Sequence, residues 1–224
     1  MAKQSTDFLE ITLMDEVLWL LPEKAIYWPK HKTCIIADLH IGKLSTFRKA
    51  GIGIPQEGEY ENWQNLTHIL LNYEVETCVF LGDLIHSDYN AECKILEEII
   101  QQFPTVDFIL TEGNHDIYSK RELEKIEALR VMDEYRLTPF VLTHIPMELP
   151  LAGENIEWHN MAGHIHPAVR LVGKGRDRMR LPCYYCTDEQ TLLPAFGSFT
   201  GSKNVKPSKS DRVYVCTGRT VVEV

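Results

Sequence analysis

The first half of the chain alternates between short apolar runs and longer amphipathic segments. The apolar runs at residues 34–37, 75–81 and 106–110 have the length and composition of buried β-strands. Between them, residues 57–73 and 91–103 carry apolar side chains at helical spacing. These are Trp63, Leu66, Leu70 and Tyr73 in the first segment, and Ile95, Leu96, Ile99, Ile100 and Phe103 in the second. The alternation predicts parallel strands covered by helices.

The second half consists mostly of short β-type runs. A helix is predicted over residues 120–129, with Ser119 as its N-cap and Glu122 completing a capping box. Strands are predicted at residues 140–143, 168–172, 192–194, 212–216 and 220–222, and residues 8–28 indicate two or three more. Because no repeat or linker interrupts this order, we predict a single α/β domain over residues 1–224.

Composition agrees with a globular domain. Of the 224 residues, 44% are hydrophobic and 25% are charged, close to the average for soluble proteins. No stretch approaches the roughly 18–20 consecutive apolar residues that a membrane span needs, and the first residues lack the features of a secretory signal. We therefore expect a cytoplasmic protein that does not bind membranes.

The six cysteines indicate core positions rather than a disulfide framework. Cys34, Cys78 and Cys216 lie inside apolar runs. Cys183 and Cys186 form one CxxC motif, and no second ligand pair with zinc-site spacing follows it. We interpret this motif as structural, with a redox role or incidental metal binding as the alternative.

The net charge of −9 means that the overall field does not attract nucleic acid. Two segments are nevertheless basic, at residues 173–180 and 201–212. They contain Lys174, Arg176, Arg178, Arg180, Lys203, Lys206, Lys209 and Arg212. These residues either bind a phosphate backbone beside an active site or form ordinary solubilising loops.

Residues that can bind metal follow the apolar runs at the positions where the predicted strands end. They occur in order as Asp38-x-His40, Gly82-Asp83, Gly113-Asn114-His115-Asp116, His144 and Gly163-His164-x-His166. The carboxyl ends of parallel strands are where α/β proteins bind ligands, so these groups can meet in one cleft. Taken singly, Asp38 and Asp83 fit turns or helix caps, and Asn114 fits a turn beside Gly113. The ordered set favours metal ligation.

The donor types indicate which ions would fit. Carboxylate, imidazole and amide groups without thiolates suit manganese, iron or zinc. Two ions roughly 3.5–4 Å apart need a shared ligand, and Asp83 is the natural bridge. The glycines before Asp83, Asn114 and His164 allow the backbone to approach the ligands closely.

This ordered set resembles the calcineurin-like metallophosphoesterases. The resemblance spans Asp38 to His166 and implies two packed mixed β-sheets flanked by α-helices, a four-layer α/β/β/α sandwich. It further implies that the first metal binds Asp38, His40 and His166, and that the second binds Asn114, His144 and His164, with Asp83 bridging them. His115 would be the catalytic general acid for the leaving oxygen, positioned by Asp116.

The flanking segments resemble the bacterial ligase-associated DNA damage response endonucleases. They are residues 25–29, 37–43, 51–55, 163–167 and 193–201. This second resemblance implies a manganese-dependent phosphodiesterase that acts on DNA together with a repair ligase and helicase.

The expected enzyme is therefore a phosphodiesterase or endonuclease with two divalent metals, manganese first and iron or zinc as alternatives. It would act by attack of metal-bound hydroxide on phosphorus, in line with the leaving group. Lys43, His86, Arg178 and Arg180 are candidate substrate contacts, although Lys43 and His86 also fit solvated positions. A phosphatase or pyrophosphatase of a small phosphoester is the first alternative. A non-enzymatic interaction module is the second, and it predicts missing ligands.

Overall fold

The computed structural model describes residues 8–43, 46, 51, 57–86, 91–148, 158–173, 178–198 and 200–224. Residues 52–55 of the flanking motifs, Phe199, and the basic residues Lys174 and Arg176 lie outside these ranges. In the parts of the chain described, no helix is long and apolar enough to cross a membrane.

The first sheet carries its strands in sequence order. They are β1 (Leu9–Leu13), β2 (Glu16–Leu20), β3 (Ala25–Trp28), β4 (Thr33–Ala37), β5 (Thr77–Leu81), β6 (Asp107–Thr111) and β7 (Leu129–Met132). Pairing from β1 to β4 is antiparallel, and pairing from β4 to β7 is parallel. The parallel half is the part that the strand and helix alternation predicted.

The second sheet is built from the second half of the chain. Its strands are β8 (Glu134–Leu137), β9 (Phe140–Thr143), β10 (His159–Ala162), β11 (Pro167–Val172), β12 (Arg178–Cys186), β13 (Gln190–Leu192), β14 (Lys203–Asn204), β15 (Arg212–Cys216) and β16 (Val221–Glu223). Their spatial order is β14-β11-β12-β13-β10-β9-β8, with β15 on β12 and β16 on β15. The strands β9, β10 and β13 are parallel, as are β11 and β14.

Helices cover one face of the first sheet. They are α1 (Glu57–Asn72), α2 (Ala91–Gln102) and the short α3 (Lys120–Leu123). Leu66 of α1 and Leu96 of α2 are fully buried in the same cluster as Phe80 and Phe108 of the sheet. Burying each such side chain contributes about 1.5–3 kcal/mol. Ile95 is exposed instead of lying on the buried face that we predicted.

The opposite face of the first sheet packs against the second sheet. Ile35 and Val79 meet Phe140, Met161 and Tyr184 in a second apolar cluster. Side chains alternate along a strand, which is why neighbours such as Ile35 and Ile36 serve different clusters. Two packed mixed sheets with flanking helices confirm the expected α/β fold class.

Several predicted boundaries were wrong. The helix predicted over residues 120–129 ends at Leu123, and Ser119 makes no side-chain cap. The chain turns after Leu123 because Leu129 already pairs with Phe108 as the first residue of β7. The strand predicted at 192–194 spans Gln190–Leu192, and Pro194 cannot donate to a ladder. Arg178 and Arg180, assigned to a loop, lie in β12.

All six cysteines are buried and unbridged. Cys183 and Cys186 are three residues apart in β12, so their thiols lie on opposite faces of the sheet. Cys186 joins the cluster between the sheets, and Cys183 joins a smaller cluster with Val169 and Val213. Burial raises the pKa of Cys183 to about 12 and that of Cys186 to about 11. The geometry thus excludes this pair as ligands of one metal.

Candidate metal centre

The strand ends that carry the predicted ligands meet at one edge of the molecule. Ala37, Leu81 and Thr111 are aligned in the register of β4, β5 and β6, so the residues that follow them start at the same level. In the second sheet, Thr143 and Ala162 are aligned in β9 and β10. Both sheets therefore deliver their polar tips to a shared cleft.

Asp38, His40 and His166 form the first cluster. Their candidate ligand atoms all lie within 4.8 Å of one another. His166 Nε2 is 3.2 Å from Asp38 Oδ1 and 3.4 Å from His40 Nε2. This is the residue set expected to hold the first metal.

Asp83, His144 and His164 form the second cluster, again within 4.8 Å. His164 Nδ1 is 3.1 Å from His144 Nε2. Asp83 faces both clusters, since its Oδ1 is 3.4 Å from His144 Nε2 and its Oδ2 is 3.8 Å from His40 Nε2. That placement fits the bridging role predicted for Asp83.

Hydrogen bonds outside the clusters fix the imidazole tautomers. Nδ1 of His144 donates to the Leu81 carbonyl at 3.0 Å, and Nδ1 of His166 donates to the Gly201 carbonyl at 2.9 Å. A carbonyl only accepts, so Nδ1 of each ring carries the hydrogen of this bond and Nε2 is the ring nitrogen directed to the cleft. Burial lowers the pKa of His40 to about 2, which keeps that imidazole neutral.

Converging imidazole nitrogens and two carboxylates make a donor set that fits divalent cations. Nitrogen atoms of two imidazole pairs approach one another to 3.4 Å and 3.1 Å beside Asp38 and Asp83, and these are donor types that manganese, iron and zinc accept. The clusters therefore pass a chemical test for metal binding that does not depend on the resemblance.

The backbone at the clusters is strained. Asp38, His40, Asp83, His164 and His166 have φ between 46° and 66°, the left-handed region that non-glycine residues seldom adopt. Such conformations cost on the order of 1–3 kcal/mol each and concentrate at functional sites. Because five candidate ligands share this conformation, we infer that the placement of their side chains compensates for the cost of the left-handed backbone.

Glycines before the ligands allow close approach, as we predicted. A Cβ on Gly82 would lie 2.4 Å from the His144 ring, and one on Gly113 would lie 2.1 Å from the Asp83 nitrogen. A Cβ on Gly163 would lie 2.6 Å from Asp38 Oδ2. Since real Cβ contacts are longer than 3.0 Å, each glycine is sterically required.

His115 and Asn114 border the second cluster. The backbone N–H of His115 donates to Asp83 Oδ1 at 2.9 Å, which fixes the Asn114–His115 segment beside the bridging carboxylate. Asn114 is exposed. The His115 ring lies 5.4 Å from the His40 ring, and its Nδ1 donates to the main-chain oxygen of His86 at 2.9 Å. Among the described residues, Nε2 is thus the ring nitrogen of His115 without a hydrogen-bond partner.

Asp116 does not orient the His115 ring directly, so that detail of our prediction was wrong. Its Oδ1 accepts from the Ile85 N–H and its Oδ2 from the Gly113 N–H, both at 3.0 Å. The buried carboxylate therefore joins the loops that follow β5 and β6. Burial raises its pKa to about 7 despite these bonds.

The four candidate substrate contacts occupy different environments. Lys43 is half-buried; burial lowers its pKa, and the nearby Asp83 and Asp38 act in the opposite direction. The His86 ring stacks on His115 at 5.0 Å and borders the cleft. Arg178 and Arg180 are exposed in β12, and an Arg180 nitrogen donates to the Ser202 carbonyl.

Sequence reasoning missed two cationic residues near the centre. Arg170 lies directly opposite Arg180 in the β11–β12 pairing, and both are exposed. An arginine inside a predicted strand was the available signal. Lys24 lines a cavity next to His166, and only the three-dimensional fold reveals this, because Lys24 lies far from the motifs in sequence.

Residues 31–183 match the family model of the calcineurin-like phosphoesterases, which includes every candidate ligand. The chain belongs to this family. It is a metal-dependent phosphoester hydrolase, because the family uses divalent metals and two potential metal-binding clusters are present.

Solved structures extend the comparison. The crystal structure of Pseudomonas putida nuclease MPE is similar over 97% of this chain and 100% of its own, with 30% identity and a TM-score of 0.81. A protein of unknown function, AQ665 from Aquifex aeolicus, shares 20% identity over 64% of this chain and 82% of its own, with a TM-score of 0.42. A search of curated proteins found no match.

Proposed function

We propose that this phosphoesterase is a two-metal phosphodiesterase that cleaves DNA during repair in the cytoplasm, with manganese as its ion. The observation that carries the proposal is the full-length similarity to a nuclease at 30% identity, combined with the two adjoining clusters. Cooperation with a repair ligase and helicase belongs to the same proposal and rests on the resemblance of the flanking segments.

In this proposal, Asp38, His40 and His166 hold one ion, and Asn114, His144 and His164 hold the other, with Asp83 shared. Bound divalent cations would supply positive charge for the phosphate oxygens and acidity for an attacking water. His115 then protonates the leaving oxygen from Nε2, because its Nδ1 is engaged by the His86 carbonyl. Lys43 adds a positive charge beside the cleft.

An exposed basic surface supports a polyanionic substrate. Arg170, Arg178 and Arg180 share one face of the β11–β12 pair, and we call this surface the arginine face. Directly opposed like charges destabilise a sheet, so they indicate a use other than stability. The face adjoins the centre because Arg180 bonds Ser202 and His166 bonds the neighbouring Gly201.

The small-phosphoester alternative finds less support. A cavity of about 510 Å³ opens beside His144, a volume suited to a small ligand. Its described lining contains the carboxylates of Glu112, Asp133 and Glu134 and no lysine or arginine. Glu112 and Glu134 are paired with Lys120 and Arg136, so the lining offers a phosphate no unpaired positive side chain. The interaction-module alternative predicts missing ligands, whereas the six carboxylate and imidazole ligands are present and clustered.

The first test is hydrolysis by metal-stripped protein with manganese, zinc or magnesium added back. We expect manganese-dependent cleavage of bis-p-nitrophenyl phosphate and single-stranded DNA, with slow cleavage of p-nitrophenyl phosphate. Cleavage of the monoester alone, with DNA intact, would instead identify a small-molecule phosphatase. Asp38→Asn is the matched control for contaminating activity, since it removes a carboxylate of the first cluster.

A second measurement addresses the arginine face. DNA affinity should fall with rising salt, and each phosphate contact contributes a slope of about 0.7–0.9 in log–log form. The Arg170→Gln and Arg180→Gln variants should each reduce that slope by about one contact. Hydrolysis of bis-p-nitrophenyl phosphate should stay unchanged. An unchanged slope in both variants would remove the arginine face from the DNA path.

A further inference from the structure

Lys24 lies in an unusual setting beside the first cluster. It lines a cavity of about 160 Å³ together with His166, Thr200 and Ser202, and we call this space the Lys24 cavity. His166 lines the cavity and also belongs to the first metal cluster, so one imidazole separates the two spaces. The cavity is too small for a nucleoside-sized ligand, since pockets for such ligands measure about 300–1,000 Å³.

The charge of Lys24 is poorly compensated. Its Nζ donates to the Phe196 carbonyl at 2.6 Å, and this is the one hydrogen bond of Nζ found within the described ranges, where no carboxylate lies in ion-pair contact. Burial lowers the pKa of the Lys24 ammonium, and Cys216 and Glu61 act in the opposite direction. A partly buried cation without a close counterion is costly, and an anion in the cavity would offset this cost.

The turn that carries Lys24 is held rigidly in a strained form. Lys24 has φ of 68°, a left-handed conformation that glycine or asparagine adopts more readily. The hydroxyl of Tyr184, buried in β12, shares its one hydrogen between the carbonyls of Leu21 and Ala25, which lie 2.9 and 2.8 Å away. The backbone therefore gains nothing from a lysine here, which indicates that the side chain is what this position supplies.

We propose that the Lys24 cavity is a second phosphate subsite, which binds the phosphate next to the scissile one in a nucleic-acid strand. The assignment rests on the proposed nuclease function and deepens it. Lys24 supplies the positive charge, and Thr200 and Ser202 line the same cavity. Arg180, bonded to the Ser202 carbonyl, connects this subsite to the arginine face.

The competing explanation is that Lys24 only supports the centre mechanically. Phe196, whose carbonyl accepts from Lys24, also donates its N–H to Ala37 at 2.8 Å, next to the ligand Asp38. Lys24→Gln separates the two roles because an amide can still donate a hydrogen bond but carries no charge. Lys32→Gln is the matched control, since Lys32 is another left-handed lysine, φ 47°, paired with Glu74 and Glu76 away from the centre.

The experiment compares substrates with one and two phosphates, using the manganese-loaded protein. For Lys24→Gln we expect KM for a thymidine trinucleotide to rise about tenfold, the loss typical of one charged hydrogen bond. KM for the dinucleotide and for bis-p-nitrophenyl phosphate should change less than twofold, and Lys32→Gln should behave as wild type. Equal losses on all three substrates, or no loss on any, would overturn the subsite. Bis-p-nitrophenyl phosphate hydrolysis independently reports whether the proposed function holds.

Binding without turnover supplies the second readout. In EDTA, a labelled trinucleotide should bind Lys24→Gln about tenfold more weakly than wild type. In the wild type, a trinucleotide whose linkage next to the scissile one is a neutral methylphosphonate should show the same loss, which requires no substituted protein. If inorganic phosphate binding alone depends on Lys24 and trinucleotide binding does not, the cavity binds free phosphate and the strand assignment is wrong.

Discussion

The imidazoles of His115 and His86 stack with their centroids 5.0 Å apart, and His115 Nδ1 donates to the His86 main-chain oxygen at 2.9 Å. A main-chain carbonyl therefore orients the His115 ring, which is the role that we had predicted for the Asp116 carboxylate. Orientation of the proposed general acid depends on where the 82–86 loop runs. Asp116 contributes indirectly, because it accepts a hydrogen bond from Ile85 of that loop.

This arrangement predicts different outcomes for the two histidines. His115→Ala should lower kcat for bis-p-nitrophenyl phosphate by about 10²–10⁴-fold, the range for loss of a general acid. His86→Ala should cost much less, because it leaves the carbonyl in place. Metal content, measured by mass spectrometry, should stay at the wild-type level in both. Loss of metal in proportion to activity would make His115 a structural residue of the centre.

The position of Asp83 between the clusters predicts a shared dependence. Its two carboxylate oxygens lie 3.4 Å from His144 and 3.8 Å from His40. Asp83→Asn should therefore weaken binding of both ions, whereas His164→Ala should weaken mainly the second. Titration of each metal-stripped variant with manganese, followed by calorimetry, measures how many ions each variant binds and how tightly. If Asp83→Asn loses a single ion and keeps the other at wild-type affinity, Asp83 does not bridge.

Gly82 and Gly218 form a matched pair for testing the packing of the centre. Both have left-handed backbones, with φ of 66° and 82°, but an added Cβ meets the His144 ring at Gly82 and open space at Gly218. Gly218→Ala should cost about 1–2 kcal/mol of unfolding free energy from backbone strain alone. Gly82→Ala should cost more and should also reduce manganese affinity. Similar urea midpoints and similar affinities in the two variants would show that His144 moves aside freely.

The metal centre was predictable from sequence because its ligands follow apolar runs in register. Parallel strands such as β4, β5 and β6 have nearly continuous apolar faces, and their aligned ends bring distant residues together. The apolar pattern therefore predicts the strands and also places Asp38 and Asp83 at the ends of those strands. Lys24 has no such pattern, because a turn between antiparallel strands places it beside His166 only once both sheets are packed.

Strand β10 was missed for a physical reason. Its first two residues, His159 and Asn160, are polar yet fully buried. The Asn160 amide donates to the Val141 carbonyl and to Thr143 Oγ1, both at 2.9 Å, and its Oδ1 accepts from Met147. Internal hydrogen bonds replace the apolar side chains that a buried strand usually shows, so hydrophobic periodicity gives no signal.

The buried His159 predicts how stability depends on pH. Burial lowers its pKa from 6.5 to about 4, and its Nε2 is 2.8 Å from Thr191 Oγ1. Below pH 6.5 the unfolded chain gains a proton that the folded protein cannot yet accept, so stability falls as pH decreases and levels off below about 4. Between pH 7.5 and 5 the free energy of unfolding that is lost through this residue is about 2 kcal/mol.

Urea unfolding of the metal-stripped wild type and of His159→Gln at both pH values isolates the contribution of His159, because the other titrating groups are common to the two proteins. The variant should lose about 2 kcal/mol less than wild type over that interval, and parallel losses would show that His159 is protonated in the folded state.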